Sequence, residues 1–352
     1  MGLNEKFFKS AAGGVVATDN FMPVVYSGNG TSSNQITTVG FEPDMIWIKN
    51  RTINGENSAL VDVLRNSLGN ILYPNLTNAE ASGGYFTGRS NGFNIGTGNL
   101  NISGTNNYIA WCWKAPTAQS IGASGSRIAS SIKKNVDAGF SIVSYAGASN
   151  STADTSNNSG AYWSVGHGLD ATPDLVIVKK TNAAGGWYVG GAALGSTGSN
   201  GNHLVLNSSA AQAGEANILW GGSQTFNDTT FGLGGWDVVN RNGDSYIAYC
   251  FTSITGYQKV GTYVGNGSTG QSITTGFEPS FLLIRKADDS QNWIMLDNVR
   301  DSSNPKTKTL LADTSGAETV TTQNLSFTST GFTLSNFHVN DNGTTFIYLA
   351  IA

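Results

Sequence analysis

The feature that most constrains the fold is an internal repeat. The stretch GFEPDMIWIKN at residues 40–50 returns as GFEPSFLLIRK at residues 276–286, and a weaker form, ATPDLVIVKK, occupies residues 171–180. The units that contain these stretches are roughly 90 to 110 residues long, the size of a domain with its own core and too long for a solenoid repeat. The chain therefore predicts three related domains in tandem.

Each copy presents the same elements in the same order. A strand that ends in Tyr and Gly comes first, and the strand just described follows it. Next comes a spaced motif of Leu, Asn or Asp, Thr or Ser, Ala, and Glu or Gln, at residues 72–80, 204–212 and 310–318. Each copy closes on a turn and a strand, for which Asn242-Gly243 and Asn342-Gly343 are typical hairpin residues.

Two strands of each copy are apolar on both faces. In the closing strand, Tyr108 to Trp113, both alternating sets of side chains are apolar, and the MIWIKN-type strand is a nearly continuous apolar run. Such strands are typical of sheets covered on both sides. Cys112 and Cys250 occupy the same position in two copies, so we expect them in two separate cores, unbridged, where a free Cys acts as a small hydrophobe.

We predict an all-β fold of three tandem β-sandwiches, of jelly-roll or lectin-like type, behind a short N-terminal arm. The second copy diverges and carries polar inserts at residues 149–160 and 195–202. A segment rich in Ser, Gly and Ala, which could also form a short helix, is predicted as a linker. The expected divisions are an arm at residues 1–20, sandwiches at 21–115, 139–255 and 256–352, and the linker at 116–138.

Composition excludes some partners. Charged residues are only 12% of the chain, about half the usual share, and the net charge is −4, which offers no footprint for nucleic acid. No apolar run approaches the ~20 residues that a membrane helix needs, so we expect no membrane insertion. The N-terminus has no apolar signal-peptide core, so ordinary secretion is not expected.

Several stretches together resemble a known repeat. DAGFSIVSYAG at residues 137–147, VGHGL at 165–169 and PDLVIVKK at 173–180 are similar to a repeat widespread in tail-fibre and other virion proteins of marine phages of the cyanophage and pelagiphage type. GFEPDMIWIKNR closing on YIAWCWKA fits the same pattern, and the resemblance covers nearly the whole chain after Phe21. It implies a virion structural protein with lectin-like β-sandwich units.

The resemblance leads to expectations about role and partners. We expect a non-enzymatic protein on the surface of a phage particle, in a tail fibre or appendage, with capsid decoration as the alternative within the particle. Expected partners are other virion proteins, further copies of the chain, with a trimer as one form, and a host surface glycan. The arm would be the anchor, ordered by its partner, with Phe7 and Phe8 as its buried contacts.

Two kinds of residue are candidates for ligand binding. Asp62 and Arg65 recur as Asp297 and Arg300, either as a ligand-binding pair or, as we favour, as an ion pair within the domain. Trp163 and Trp187 lie in the divergent copy. Aromatic side chains on β-sandwich loops can stack on sugars, and loops are where related copies differ in function.

Other candidate chemistry is weaker. Glu42 and Glu278 could each be half of a glycosidase pair, although we favour a solvated role at the edge of a turn. The repeated acids that could complete such a pair are Asp62/Asp297 and Glu80/Glu318. The NRNGD and NDNG stretches resemble fragments of a calcium loop, which a plain turn explains with fewer assumptions. The three His residues show no zinc spacing, so we predict neither metal nor cofactor. A free array of carbohydrate-binding modules is the rival from another class, and a depolymerase is a distant third.

Overall fold

The computed structural model describes residues 15–83, 85–104, 106–149, 162–196, 201–214, 218–221, 226–334 and 337–352. Strands make up 46% of the described residues and helices 4%, which confirms the predicted all-β class. Within those ranges, no helix is both long enough and apolar enough to cross a bilayer. Phe7 and Phe8 lie outside the described residues.

The first copy (residues 21–115) contains nine strands, preceded by a 3-10 turn at Ala17–Asp19. Their bounds are β1 (Phe21–Ser27), β2 (Asn34–Ile36), β3 (Met45–Asn50), β4 (Ala59–Asp62), β5 (Asn70–Ile71), β6 (Ala81–Ser82), β7 (Phe86–Arg89), β8 (Gly92–Ile95) and β9 (Asn107–Trp113). They form a sheet of order β1-β9-β3-β4, a sheet of order β2-β8-β7, and the pair β5-β6.

Three strands that precede the second copy (residues 139–255) in the chain join its sheets: β10 (Thr117–Ile121), β11 (Arg127–Ile128) and β12 (Ser130–Asn135). The strands of the copy itself are β13 (Phe140–Ala146), β14 (Trp163–Gly166), β15 (Leu175–Lys180), β16 (Trp187–Gly190), β17 (Asn202–Val205), β18 (Ala213–Gly214), β19 (Thr230–Leu233) and β20 (Ser245–Phe251). A 3-10 turn lies at Ala192–Leu194 and the short helix α1 at Asp237–Asn240. The sheets have the orders β10-β12-β13-β20-β15-β16-β17-β18 and β11-β14-β19.

The third copy (residues 256–352) forms one continuous sheet. Its strands are β21 (Gln258–Val264), β22 (Gln271–Thr274), β23 (Phe281–Lys286), β24 (Ile294–Asp297), β25 (Lys306–Leu311), β26 (Thr319–Thr328), β27 (Gly331–Leu334) and β28 (Thr345–Ile351), with a 3-10 turn at Phe337–Val339. The sheet order is β21-β28-β23-β24-β25-β26-β27-β22.

One four-strand arrangement occurs in every copy. The antiparallel orders β1-β9-β3-β4, β13-β20-β15-β16 and β21-β28-β23-β24 place the opening strand, the closing strand and the next two strands identically. The register is equivalent as well, because the closing strand meets the MIWIKN-type strand at corresponding pairs. These pairs are Trp47 with Trp111, Ile177 with Tyr249, and Leu283 with Leu349.

Residues 116–138 are not a linker or a helix. Strands β10 and β12 pair with each other, and β12 pairs with β13, so they extend the sheet of the second copy. The composition of this segment is polar, but Ser130 and Ile132 alternate with more exposed neighbours and are buried. That period of two supplies the buried face that a strand needs.

Part of the predicted arm packs on the protein. Val15 contacts the apolar core, Ala17 is buried, and the Asn20 side-chain oxygen accepts a 2.7 Å hydrogen bond from Asn135. Residues 15–20 therefore belong to the folded body. The Asn-Gly turns also differ from the predicted hairpins, because each joins a short helical turn, α1 or Phe337–Val339, to a closing strand.

Both faces of the closing strands are buried, as predicted, but against different partners. In β9, Ala110 and Cys112 face a core made only of first-copy residues, while Ile109, Trp111 and Trp113 face a core shared by all three copies. Strands β20 and β28 divide their side chains in the same way. The sheets thus pack their second faces against one another.

The two cysteines lie in separate copy-specific cores and are free. This confirms the expected arrangement. Burial raises the pKa of the Cys250 thiol to about 12 and that of Cys112 further, so neither forms a thiolate near neutral pH.

Candidate functional site

Aromatic side chains from all three copies meet at the centre of the shared core. The Trp113 ring lies 4.8 Å from the Phe21 ring and 6.2 Å from Phe281, a third-copy residue. It also lies 6.2 Å from Phe140 and 6.5 Å from Phe251, both in the second copy. Ring pairs at these separations stabilise beyond their buried area alone. The copies are therefore packed around one common centre and are not separate domains joined only by linkers.

The repeated spaced motif forms the contacts between copies. We call residues 72–80, 204–212 and 310–318 the clamp segments. The backbone N–H of the last clamp residue donates to the same position of the next copy in all three cases: Glu80 to Thr181 (2.8 Å), Gln212 to Ala287 (2.6 Å) and Glu318 to Arg51 (3.0 Å). The first copy thus clamps the second, the second clamps the third, and the third clamps the first. The contacts close a ring.

A buried cation receives each clamp. Lys49, Lys179 and Arg285 occupy the fifth position of the MIWIKN-type strand, and all three are fully buried. They donate to backbone carbonyls of the incoming clamp segment: Lys49 to Thr314 (2.6 Å), Lys179 to Thr77 (3.1 Å) and Arg285 to Ser208 (2.9 Å). Sequence reasoning missed these residues, although a cation at one position of three apolar strands was a signal.

Burial changes the acidity of these cations. It lowers the pKa of Lys49 and of Lys179 to about 8, and that of Arg285 to about 10. The cause is desolvation, which disfavours the charged form when neutral carbonyls replace water.

The Asn or Asp of the clamp explains its spacing. The side-chain oxygens of Asn75, Asn207 and Asp313 accept a backbone N–H from their own copy, at Ser58 (3.2 Å), Trp187 (2.9 Å) and Trp293 (3.1 Å) respectively. The residue that donates lies at or just before the start of the strand that follows the buried cation. The Asn or Asp therefore ties each clamp segment to its own copy.

Trp187 is a buried clamp contact and is not exposed on a loop. Its side chain is inaccessible to solvent, and its indole N–H lies 3.1 Å from the carbonyl oxygens of Tyr73 and Leu76 in the first-copy clamp. Trp293 donates equivalently to Val205 of the second-copy clamp, also at 3.1 Å. The predicted sugar contact for Trp187 is therefore replaced by a contact between copies.

The Asp62–Arg65 pair lies at the interface of the first and second copies. Arg65 Nε is 2.7 Å from Asp62 Oδ2, and both side chains are buried. The Tyr249 hydroxyl, from the second copy, donates to the same carboxylate oxygen at 2.7 Å. The favoured interpretation as an ion pair within the domain agrees with this geometry, while the neighbouring copy's tyrosine was not predicted.

The Asp297–Arg300 pair occupies the matching place between the third and first copies. Arg300 Nε is 2.6 Å from Asp297 Oδ2, and the indole N–H of Trp111 donates to that oxygen at 3.2 Å. The Arg300 guanidinium also lies 5.7 Å from the Trp111 ring centroid. Trp111 and Tyr249 hold the same position in their closing strands. Each pair thus contacts a polar aromatic group of the copy that it meets.

The remaining interface is apolar at this place. The second copy has Gly191 and Leu194 in place of the acid and the arginine, and the third copy's closing strand has Leu349 in place of the polar aromatic residue. Leu194 and Leu349 both lie in the shared core. The second copy lacks the Asp–Arg pair, and the third copy lacks the Trp or Tyr that would donate to it. Neither side of this interface therefore buries a polar group that needs the missing partner.

The ring carries an additional salt bridge where it joins the third copy to the first. Glu318 accepts from Arg51 through both carboxylate oxygens at 2.9 Å and lies 3.1 Å from Arg300. Burial alone would raise the pKa of Glu318, but the Arg51 hydrogen bond and the two guanidinium charges outweigh it and hold that pKa below its usual value. The side chain of Glu80, the equivalent residue, makes polar contacts only within its own copy among the described residues: it accepts from Asn70 at 3.0 Å and lies 3.5 Å from Arg65.

The other candidates remain apart from this arrangement. Trp163 is half-buried on β14 and packs against the core of the second copy, and the neighbouring insert at residues 150–161 lies outside the described residues. Glu42 and Glu278 are exposed. Across the described ranges, no group of three His, Cys, Asp or Glu side chains could hold a metal ion.

Comparison with known proteins gives one match. A family model described as a domain of unknown function, DUF7483, matches residues 16–352. No curated protein and no solved structure matches the chain significantly.

Proposed function

The chain belongs to the DUF7483 family, a domain family of unknown function, and we propose that it is a non-enzymatic structural protein of a bacteriophage particle. In this proposal three β-sandwich copies, each with a core of its own, form one block around the shared core. The block belongs to a tail fibre or appendage at the particle surface. The resemblance of residues 137–180 to marine phage virion repeats supports this assignment.

The observation that carries the proposal is the use of the repeated polar residues. Asp62, Arg65, Asp297 and Arg300 are buried in contacts between copies, as are the three strand cations. Residues repeated for a catalytic or ligand site would instead face a solvent-accessible cavity. Their burial favours a chain whose repetition serves construction of a rigid block.

The ring bears on the expected oligomer. Three related sheets within one chain already supply a three-fold set of equivalent contacts. We therefore propose that one chain builds the block that a homotrimer would otherwise build, and that other virion proteins attach it to the particle. Because residues 15–20 pack on the body, the proposed anchor is confined to residues 1–14, including Phe7 and Phe8, which lie outside the described residues.

Immunolabelling tests the virion assignment. An antibody raised against the recombinant chain would be applied to density-purified particles from the source culture and viewed by electron microscopy. We expect label at a defined place on the particle surface, and loss of label when the antibody is first absorbed with the pure chain. Recovery of the protein only from the particle-free fraction would overturn the proposal. Label on tails or on heads separates an appendage from capsid decoration.

A further inference from the structure

The first copy contains an open cleft of about 280 Å³. It lies between strands β4 and β5 on one side and β7 and β8 on the other. Its floor is formed by four buried apolar side chains, which are Ala59, Ile71, Phe86 and Ile95. This volume is just below the ~300–1,000 Å³ typical of ligand pockets, and an apolar floor is typical of such pockets.

Comparison with the third copy explains why the cleft is open. There β26 runs for ten residues and pairs with both β25 and β27, which joins the whole copy into one sheet. Seven residue steps separate Glu318 from Leu325, whereas six separate the equivalent Glu80 from Phe86. The shorter stretch is broken into β6 and β7, which belong to different sheets, and the cleft lies where these sheets part.

An exposed tyrosine stands at the mouth of the cleft. The Tyr85 side chain is 45% exposed, an unusual state for a large aromatic residue in this chain. Gly83 lies against its ring, and a Cβ built on that glycine would come within 3.0 Å of the Tyr85 ring. In the third copy the position of Tyr85 is Asn324, because Phe86 and Leu325 hold the same place in their hairpins. The ring is therefore a feature that this copy has and the third copy lacks.

Polar groups line the rim and have free hydrogen-bonding capacity. Among the described residues, the Glu56 carboxylate, the side chains of Thr97 and Asn99, and the hydroxyls of Tyr73 and Tyr85 make no hydrogen bond. Glu56 is the one charged side chain in the lining, and no cation accompanies it. An anionic ligand would meet a like charge there, which disfavours it.

We propose that this cleft binds a neutral saccharide of one or two sugar rings. The Tyr85 ring packs on the apolar C–H face of a sugar, since an aromatic ring offers a large apolar surface with a polar tip. Glu56 and Asn99 accept hydrogen bonds from sugar hydroxyls. The proposal deepens the appendage role proposed above, and it rests on that role only for where the saccharide would be met.

Saturation-transfer NMR on the full chain tests this. The probes are the methyl glycosides of glucose, mannose, galactose and N-acetylglucosamine, with methyl glucuronide as the anionic comparison. We expect saturation transfer to at least one neutral glycoside and none to the glucuronide. Tyr85→Ala should weaken the binding at least tenfold, Tyr85→Phe should retain most of it, and Glu56→Gln should weaken it several-fold.

Arg89→Ala provides the matched control, because Arg89 is exposed on β7 but does not line the cleft. Its affinity should equal that of the unaltered chain, and the urea midpoints of all variants would confirm that they fold. No transfer to any neutral glycoside, or equal affinity for Tyr85→Ala, would overturn the saccharide proposal. Particle labelling does not depend on Tyr85, so either proposal can fail while the other stands.

Discussion

At the scale of single residues, the three strand cations are the least expected feature. Lys49 and Lys179 are fully buried, yet their hydrogen bonds run to neutral carbonyl oxygens. Removing an ammonium from water is costly unless charge and hydrogen bonds compensate. The pKa of each falls to about 8 because the compensation is incomplete. Attachment of the clamp thus depends on cations that lose their charge more readily than they would in water.

This predicts a specific pH dependence of stability for Lys49. The folded pKa is about 8 and the ordinary value is 10.5, so between these pH values the unfolded chain binds more protons than the folded chain. Stability therefore rises with pH across this window and is lost as pH falls back through it. The free energy of unfolding of the natural chain, relative to Lys49→Met, should increase by about 3 kcal/mol from pH 8 to pH 10.5.

Urea titrations at a series of pH values would measure this difference. Lys259→Met, on the outer strand β21, controls for the loss of one positive charge. A difference between the natural chain and Lys49→Met that stays constant from pH 8 to pH 10.5 would show that Lys49 is charged and solvated in the folded protein.

At the scale of elements, the clamp segments explain why the same spacing of Leu, Asn or Asp, and Glu or Gln occurs in all three copies. The Leu of each clamp is buried in the shared core, the Asn or Asp shapes the segment, and the last residue bonds the next copy. Each requirement selects a residue type at a given distance from the others. The spacing is therefore repeated because its residues form the interface between each copy and the next.

The clamps differ in charge, and this leads to a second prediction. Glu318→Ala removes a bidentate salt bridge across the ring and leaves Arg51 and the buried Arg300 short of a partner. We expect a loss of about 2–3 kcal/mol in the free energy of unfolding. Glu80→Ala removes a hydrogen bond from Asn70 and a longer contact to Arg65, both within one copy, and should cost about 1 kcal/mol.

Equilibrium urea unfolding of both variants at pH 7 would make the comparison, with Glu80→Ala as the matched control at the equivalent position. Equal losses for the two variants would mean that the link between Arg51 and Glu318 contributes nothing to closure of the ring.

At the scale of the whole molecule, the shared core ties the copies together. Each copy contributes apolar side chains to it, including Trp111 from the first, Tyr249 from the second and Phe281 from the third. An isolated copy would expose this face to water, at a cost of roughly 25 cal/mol for each Å² of apolar surface. We infer that the chain folds as one cooperative unit and not as three independent domains.

Fragments and calorimetry test this. The full chain should unfold in one transition whose calorimetric and van't Hoff enthalpies agree. Residues 256–352 alone should aggregate or unfold at far lower urea concentration than the full chain. Residues 1–255 and 256–352 expressed together should reassociate, which controls for damage caused by cutting. A third copy that is stable and monomeric by itself would contradict the prediction.

The sequence by itself determined the β class, the three copies, the two-sided burial of the central strands and the separate cores of the two cysteines. These follow from local alternation and from repetition, which the chain displays directly. It also indicated the pairing of Asp62 with Arg65, because the two residues recur together as Asp297 and Arg300. The prediction of a linker at residues 116–138 was wrong, because the strands there consist largely of small polar residues and show only a weak alternation of apolar side chains.

The tertiary structure alone decided what covers the second face of each sheet. The hydrogen bond between Asp62 and Tyr249 joins residues 187 positions apart, and that between Asp297 and Trp111 joins residues 186 apart. The chain contains no local signal for such distant pairs. Burial of an apolar face does not specify which apolar face will cover it, because hydrophobic attraction has no direction. The ring and its clamps therefore emerge only when the three sheets meet, and the cleft beside Tyr85 only when the sheets of the first copy have formed.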